Sequence, residues 1–301
     1  MKKVKEYHGI IPPVLTPLNK NYELDTAGLE RLLERMISGG VHGLFILGTT
    51  GEGPMLGGGI QRQLMDETVR IVRKRIQVLA GVSDMSLKNS VDLALYAKDA
   101  GIDGVVAATP CYMPLGNDEV VEYYRELAIQ SKLPVFVYNM PSMTKSYLPP
   151  QLVMKLSEID GIRGYKDSSG NMTDFFEVLR HLGEREDFSI FIGPEEMLAE
   201  SVLAGADGGV SGGANLDPAL FVSMYNAAAN RDMDAVTELR RKIYIQRELY
   251  SAANTPDRII RGLKCALKEL GVCESYPVPP GKPLNDAEKS KVMEIVSRLG
   301  L

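Results

Sequence analysis

Histidine is scarce in this chain of 301 residues: only His8, His42 and His181 occur. None lies where an apolar run ends, and no acids and histidines cluster with metal-ligand spacing. Metal-dependent hydrolysis is therefore not expected. Cysteine is equally sparse. Cys111, Cys265 and Cys273 are odd in number and lack ligand spacing, which fits free thiols in a reducing compartment. No apolar run approaches the ~18 residues of a membrane span. A basic block is missing too, and the formal net charge is −5. Neither nucleic acid nor an anionic membrane is an expected partner. The charged start, Met1 to His8, has no apolar stretch behind it. No signal peptide is read there, and a cytoplasmic location is expected.

What is present is alternation. Apolar content is 45% and charged content 24%, ordinary for a globular protein. Short apolar runs fall at 10–15, 43–47, 78–80, 104–107, 135–138, 162–165, 189–192 and 208–210. Helix-period stretches separate them, at 26–38, 61–74, 87–100, 117–131, 149–157, 173–181, 195–204 and 218–229. Gly39-Gly40, Gly101, Gly161 and Gly205 stand where helices close, and Asp25 and Asn117 where they are capped. Eight such units predict an α/β chain folded as a (β/α)8 TIM barrel over residues 1–230. Three further helical stretches, without strands, predict a C-terminal helical extension over 231–301. A doubly wound sheet would need a glycine-rich turn after the first strand. That strand runs instead into Pro12-Pro13-Val14-Leu15-Thr16-Pro17.

Barrel active sites lie at the C-terminal ends of the strands. Lys166 stands at the end of the sixth run, and Tyr138 at the end of the fifth. Neighbouring strands are about 4.8 Å apart, so amine and phenol can meet. A desolvated lysine can attack a ketone, and an adjacent tyrosine can shuttle a proton. Taken alone, Lys166 also fits a lysine that snorkels beside a turn, and Tyr138 a rim tyrosine packed on Pro141. Gly48-Thr49-Thr50-Gly51-Glu52 offers hydroxyls and backbone amides in a tight turn, suited to a small carboxylate or to no ligand at all. Gly209-Val210-Ser211-Gly212-Gly213 matches a hydrolase elbow, but no histidine follows it. Gly57-Gly58-Gly59 lacks dinucleotide spacing.

Together, Gly48 to Glu52, Tyr138-Asn139-Met140-Pro141 and Gly164-Tyr165-Lys166-Asp167-Ser168-Ser169-Gly170 resemble the dihydrodipicolinate synthase/N-acetylneuraminate lyase family of class I aldolases. The likeness spans the chain from Gly9 onward. It implies a homotetramer and a Schiff base between Lys166 and the ketone of pyruvate or another 2-oxo acid, with no metal or organic cofactor. Tyr138 is then the proton shuttle, and Thr49 and Thr50 hold the substrate carboxylate. Tyr112 matches a tyrosine lent to a neighbouring subunit's site. Met143 stands where the synthases usually carry arginine, and Cys111 replaces the first tyrosine of their usual pair. Gly193-Pro194-Glu195-Glu196 takes the place of the Gly-x-Asp-Glu of sialic acid lyases. The run Asp167 to Gly170 also appears in the sugar-acid aldolases of the family.

The expected activity is a pyruvate-dependent lyase acting on a 2-keto-3-deoxy sugar acid or an acylneuraminate-like substrate, with an aldehyde as second partner. Glu195 and Glu196 are expected to accept hydrogen bonds from sugar hydroxyls, with Gly193 beside them in the substrate site and Gly212-Gly213 leaving room for a longer chain. Lys145 and Arg163 are the cations that could stand in for the missing arginine. The alternatives are dihydrodipicolinate synthase, a dehydratase working from the same imine, and a non-catalytic sensor of a 2-oxo acid.

Overall fold

The computed structural model describes residues 4–301, so the first three residues of the charged start lie outside the described residues. Eight strands are present: β1 (Gly9–Ile10), β2 (Gly43–Ile46), β3 (Gln77–Gly81), β4 (Gly104–Ala108), β5 (Val135–Asn139), β6 (Ile162–Asp167), β7 (Ser189–Ile192) and β8 (Gly208–Gly209). They pair in the order β1-β8-β7-β6-β5-β4-β3-β2, each parallel to its neighbours. The seam between β1 and β2 closes through irregular backbone. Pro12 and Pro13 have no N–H to give a ladder, so β1 stops well short of residue 15. Phe45 N donates to the Pro12 carbonyl at 2.9 Å, and Val14 N to that of Phe45 at 2.8 Å. The chain is a TIM barrel.

Helices α1 (Thr26–Ser38), α2 (Gly58–Val72), α3 (Leu87–Ala100), α4 (Asn117–Ser131), α5 (Pro141–Thr144), α6 (Pro150–Ser157), α7 (Met172–Leu182), α8 (Leu198–Leu203) and α9 (Pro218–Ala229) surround the strands. Asp25 caps α1 by accepting from Gly28 N at 2.9 Å. Asn117 does not cap α4: it is the first helical residue. Gly116 takes the cap position, and its N–H is bonded by the Glu119 carboxylate at 2.7 Å. Gly39 is likewise right-handed, and the left-handed residue after α1 is Gly40. The stretch that begins at residue 195 opens as a 3₁₀ turn before α8.

Strand alternation sorts the buried side chains into two cores. Phe45, Leu79, Val106, Phe136, Tyr138 and Phe191 fill the barrel interior. Val135, Val137, Ile162 and Tyr165 face the helices. Parallel strands covered on both sides read as continuous apolar runs for this reason. On β6 the alternation turns Lys166 inward and Tyr165 and Asp167 outward.

Beyond α9 follow α10 (Met233–Arg247), α11 (Arg258–Glu269) and α12 (Asp286–Leu299). Helix α10 packs on α9, and α12 on α10 and α11. The extension is riveted to the barrel mouth by a buried ion pair between Lys264 of α11 and Glu52. Glu52 also accepts Val278 N at 2.6 Å, and Lys264 donates to the Tyr276 carbonyl at 2.8 Å. Burial pulls the Lys264 amine below the ordinary lysine value, although Glu52 opposes the shift.

Lys264→Met should destabilise the chain by about 3–5 kcal/mol, because the Glu52 carboxylate is left buried without its cation. The double variant Glu52→Gln/Lys264→Met should recover most of that loss. Equilibrium denaturation checks both, and a single variant as stable as the parent would rule out the pair as a rivet.

Candidate active site

Tyr138 and Lys166 are register partners on β5 and β6. Both are nearly buried. The Lys166 ammonium sits over the Tyr138 ring, 3.6 Å from its centroid, with Phe45 beyond at 5.7 Å. Its Nζ donates to the Ser168 hydroxyl at 3.3 Å. An aromatic face stabilises a cation held away from water, which keeps the amine in place. Burial alone would push the Tyr138 phenol up. The Lys166 charge and the polar groups of Lys166, Thr49 and Ser168 around its oxygen outweigh burial and hold it below the ordinary phenol value.

The Tyr138 hydroxyl lies 3.4 Å from the Thr49 hydroxyl, at the turn after β2. That turn is coiled on itself: Glu52 N bonds to the Thr49 carbonyl at 3.0 Å and Gly53 N to that of Gly48 at 3.1 Å. Leu47 and Glu52 both adopt left-handed backbone, at φ 58°. A Cβ at Gly53 would run into the Leu47 carbonyl, so only glycine closes the loop. The amides of Thr49 and Thr50 have no partner among the described residues. Two free N–H groups and two hydroxyls in a concave turn suit a carboxylate.

A cavity of about 340 Å³ opens beside this pair. Its walls include Phe45, Thr49, Asp84, Thr109, Cys111, Tyr138, Met143 and Thr144. Met143 thus faces the space. Among the described residues no arginine or lysine lines this cavity, and of the Tyr138–Lys166 pair it is Tyr138 that forms its wall. Arg163 is at the start of β6, the far end of the barrel from Lys166, and pairs with Asp160 at 3.1 Å. Lys145 is exposed and donates to the Ser142 carbonyl at 2.8 Å. Neither cation is placed to replace the missing guanidinium.

The expectation for Glu195 and Glu196 is revised. Glu195 is buried, and its oxygens accept the Tyr250 hydroxyl at 2.6 Å and Gly213 N at 2.8 Å. Burial raises its carboxyl pKa despite those bonds. Glu196 pairs with Arg247 at 3.0 Å. Both carboxylates tie the mouth to the extension instead of standing free. Gly193 makes room for the Ser168 hydroxyl, which a Cβ there would strike. The space above Gly212 is bounded by the hydroxyls of Tyr250 and Thr50, 3.8 and 3.9 Å from where its Cβ would stand. Tyr112 is 80% exposed and lines an apolar groove with Met85, Met113 and Tyr123, and Met85 also lines the cavity beside Tyr138.

Ser168, Asn139 and Tyr250 carry bonds that sequence reasoning had not assigned. Asn139 and Ser168 lie inside quoted motifs, but only the paired register shows what they touch. Tyr250 comes from the extension and has no sequence signal of its own.

A nearly buried lysine amine over a phenol, beside an amide-rich turn at a barrel mouth, is the equipment of the lysine-dependent class I aldolases. The family model for the dihydrodipicolinate synthetase family matches residues 6–299. A probable 2-dehydro-3-deoxy-D-pentonate aldolase of Escherichia coli K12 is 32% identical over 99% of both chains. The dihydrodipicolinate synthase structure from Bacteroides thetaiotaomicron is 42% identical, with a TM-score of 0.94 over 98% of this chain and 100% of that one. YagE, a prophage protein of the dihydrodipicolinic acid synthase family solved from E. coli K12 with pyruvate, is 27% identical, with a TM-score of 0.93 over 98% and 99%. The chain belongs to the dihydrodipicolinate synthetase family, whose members are pyruvate-dependent, Schiff-base-forming carbon–carbon lyases.

Among the tyrosines near the site, Tyr138 should ionise first. Tyr124, Tyr165 and Tyr250 are all raised well above the ordinary value, mainly by burial. Ultraviolet difference titration should show a low-titrating phenol that disappears in Tyr138→Phe. In Lys166→Met it should move up, because burial then acts without the ammonium. A Tyr138 titration unaffected by Lys166→Met would refute the coupling.

Proposed function

We propose that Lys166 is the imine-forming residue and that residues 1–230 form the catalytic barrel, with 231–301 as its brace. The neutral amine attacks the ketone carbon of pyruvate, and the carbinolamine hydroxyl leaves as water with the proton of the Tyr138 phenol, giving a protonated imine and the Tyr138 phenolate. In cleavage of a 2-keto-3-deoxy acid, the phenolate of Tyr138 takes the C4 hydroxyl proton. The C3–C4 bond breaks, its electrons move to the imine nitrogen as an enamine forms, and the aldehyde leaves. Protonation at C3 and hydrolysis release pyruvate. Condensation is the reverse. The free amides of Thr49 and Thr50 hold the substrate carboxylate, and Thr49 orients the Tyr138 hydroxyl.

The observation that carries the substrate choice is the cation-free cavity wall around Met143. Aspartate semialdehyde brings a second carboxylate, which a guanidinium would bind bidentately. A thioether cannot do this. Asp84 and Thr109 instead offer hydrogen-bond partners to a neutral polyol. The preferred partner is therefore a polyhydroxylated aldehyde, and the cleaved substrate a 2-keto-3-deoxy sugar acid. The 42% identity to a protein named dihydrodipicolinate synthase keeps aspartate semialdehyde as the second reading.

Borohydride with pyruvate should leave one reduced pyruvyl adduct, on Lys166, absent in Lys166→Ala. In competition with pyruvate, a neutral hydroxyaldehyde should exceed aspartate semialdehyde by at least ~tenfold in kcat/KM, or about 1.4 kcal/mol in the transition state. An adduct elsewhere would sink the mechanism, and faster turnover of the semialdehyde would favour the synthase.

The exposed Tyr112, in an apolar groove beside exposed Met85 and Met113, supports its loan to a neighbouring subunit within a homotetramer. Light scattering at assay concentration should then find no active monomer.

A further inference from the structure

One residue beyond Tyr138 and one beyond Lys166, the strands carry a second register pair that faces away from the cavity. Asn139 and Asp167 are each 1% exposed. Asn139 Nδ2 donates to Asp167 Oδ1 at 2.8 Å and to the Tyr165 hydroxyl at 3.1 Å. That hydroxyl donates to the same Oδ1 at 2.8 Å, closing a ring of three side chains. Asp167 Oδ2 accepts the Ser169 hydroxyl at 2.9 Å. Asn139 Oδ1 accepts Leu148 N at 3.2 Å, and the Asn139 carbonyl accepts Ser168 N at 2.9 Å.

The outward positions below Asn139 on β5 are Val135 and Val137, packed in the apolar layer. A third apolar residue would have served the sheet. A polar ring in that layer is tolerable only because every member is satisfied. The ladder also carries an irregularity just below the ring. Between Val135 and Phe136 the β5–β6 register shifts, so that Phe136 pairs with Gly164. Such a bulge bends the strand and re-aims the side chains above it, Tyr138 and Lys166 among them.

We infer that Asn139 is a positioning residue for the reaction: it pins Tyr138 against Lys166 from behind and, through Leu148, sets the segment that carries Met143. The inference rests on the imine reading above. Asn139 touches no reacting atom. It acts through the spacing of the phenol and amine and through Ser168, which the Lys166 ammonium meets.

Asn139→Asp is the decisive variant. The new carboxyl keeps the acceptor for Leu148 but loses both N–H donors. Ionised, it faces the Asp167 carboxylate and repels it. Protonated, it donates one hydrogen bond to Asp167 and restores the link. Tyr165 on β6, Tyr147 after β5 and its partner Asp174 on α7 surround the pair, with Lys166 and Tyr138 on the inner face. The parent contains all of these groups, so the variant-to-parent ratio isolates the new carboxyl.

At neutral pH, kcat should fall at least ~tenfold while KM for pyruvate stays within about twofold, as expected for misplaced reacting groups. The deficit relative to the parent should shrink as pH falls. Asn139→Ala should show a similar loss with no recovery at any pH. Tyr165→Phe, which removes one corner and leaves the Asn139–Asp167 bond, should lose only about threefold. Borohydride trapping of pyruvate should slow in step with kcat. Failure of trapping in the parent would overturn the imine reading itself. Normal trapping in the parent, with Asn139→Asp and Asn139→Ala both turning over at the parental rate, would overturn this inference alone. So would a deficit in Asn139→Asp that ignores pH.

Discussion

Where the loop after β2 meets helix α11, a carboxylate and an ammonium pair in the absence of water. The contact between Glu52 and Lys264 lies one turn from the two free amides of Thr49 and Thr50. Glu52 occupies left-handed backbone, which the loop must adopt to present those amides. Left-handed conformations persist only where the surroundings over-determine them. Here the surroundings are Lys264 and Val278 of the extension. A side chain of the extension thus helps shape the turn after β2. Burying both charges is costly, and only complete satisfaction of their partners makes it tolerable.

The same logic recurs around half of the mouth. The loop after β7 is tied to the extension by Glu195 with Tyr250 and Glu196 with Arg247, and the loop after β8 by Gln246 donating to the Gly213 carbonyl at 2.7 Å. Behind the strands, the ring of Asn139, Tyr165 and Asp167 does for β5 and β6 what the extension does for β2, β7 and β8. Lys166 and Tyr138 are thus backed by groups that alternation has turned away from the cavity. A flexible lysine side chain is held in one place because its neighbours are constrained.

Much of this architecture was legible in the sequence. Parallel strands covered on both faces are written as short apolar runs, and the helix boundaries at 26–38, 87–100, 117–131 and 218–229 coincide with those observed. Lys166 and Tyr138 could be paired because strand spacing alone brings them together. The outward partners could not be assigned. Asn139 and Asp167 sit in the quoted motifs, but only register shows that they bond each other. Glu195 misled because a glutamate beside a barrel mouth reads as a free acceptor, and its partner Tyr250 lies 55 residues away. Asn117 misled because its neighbour Gly116 can occupy a cap position when Glu119 supplies the hydrogen bond. Contacts across long separations leave no periodic trace, so the ion pair of Glu52 with Lys264 had no sequence signal.

Among the described residues, no hydrogen bond or ion pair ties the extension to the loops after β3, β4 and β5, which supply Asp84, Cys111 and Met143 to the cavity wall. The rim is therefore divided in evolutionary terms. One half is locked into long-range pairs whose members must change together. The other half is free to vary one residue at a time. A lineage built on this plan can exchange its electrophile by drifting through those three loops while the imine chemistry stays intact. Diversification of such enzymes then becomes a local affair, insulated from the stability of the barrel.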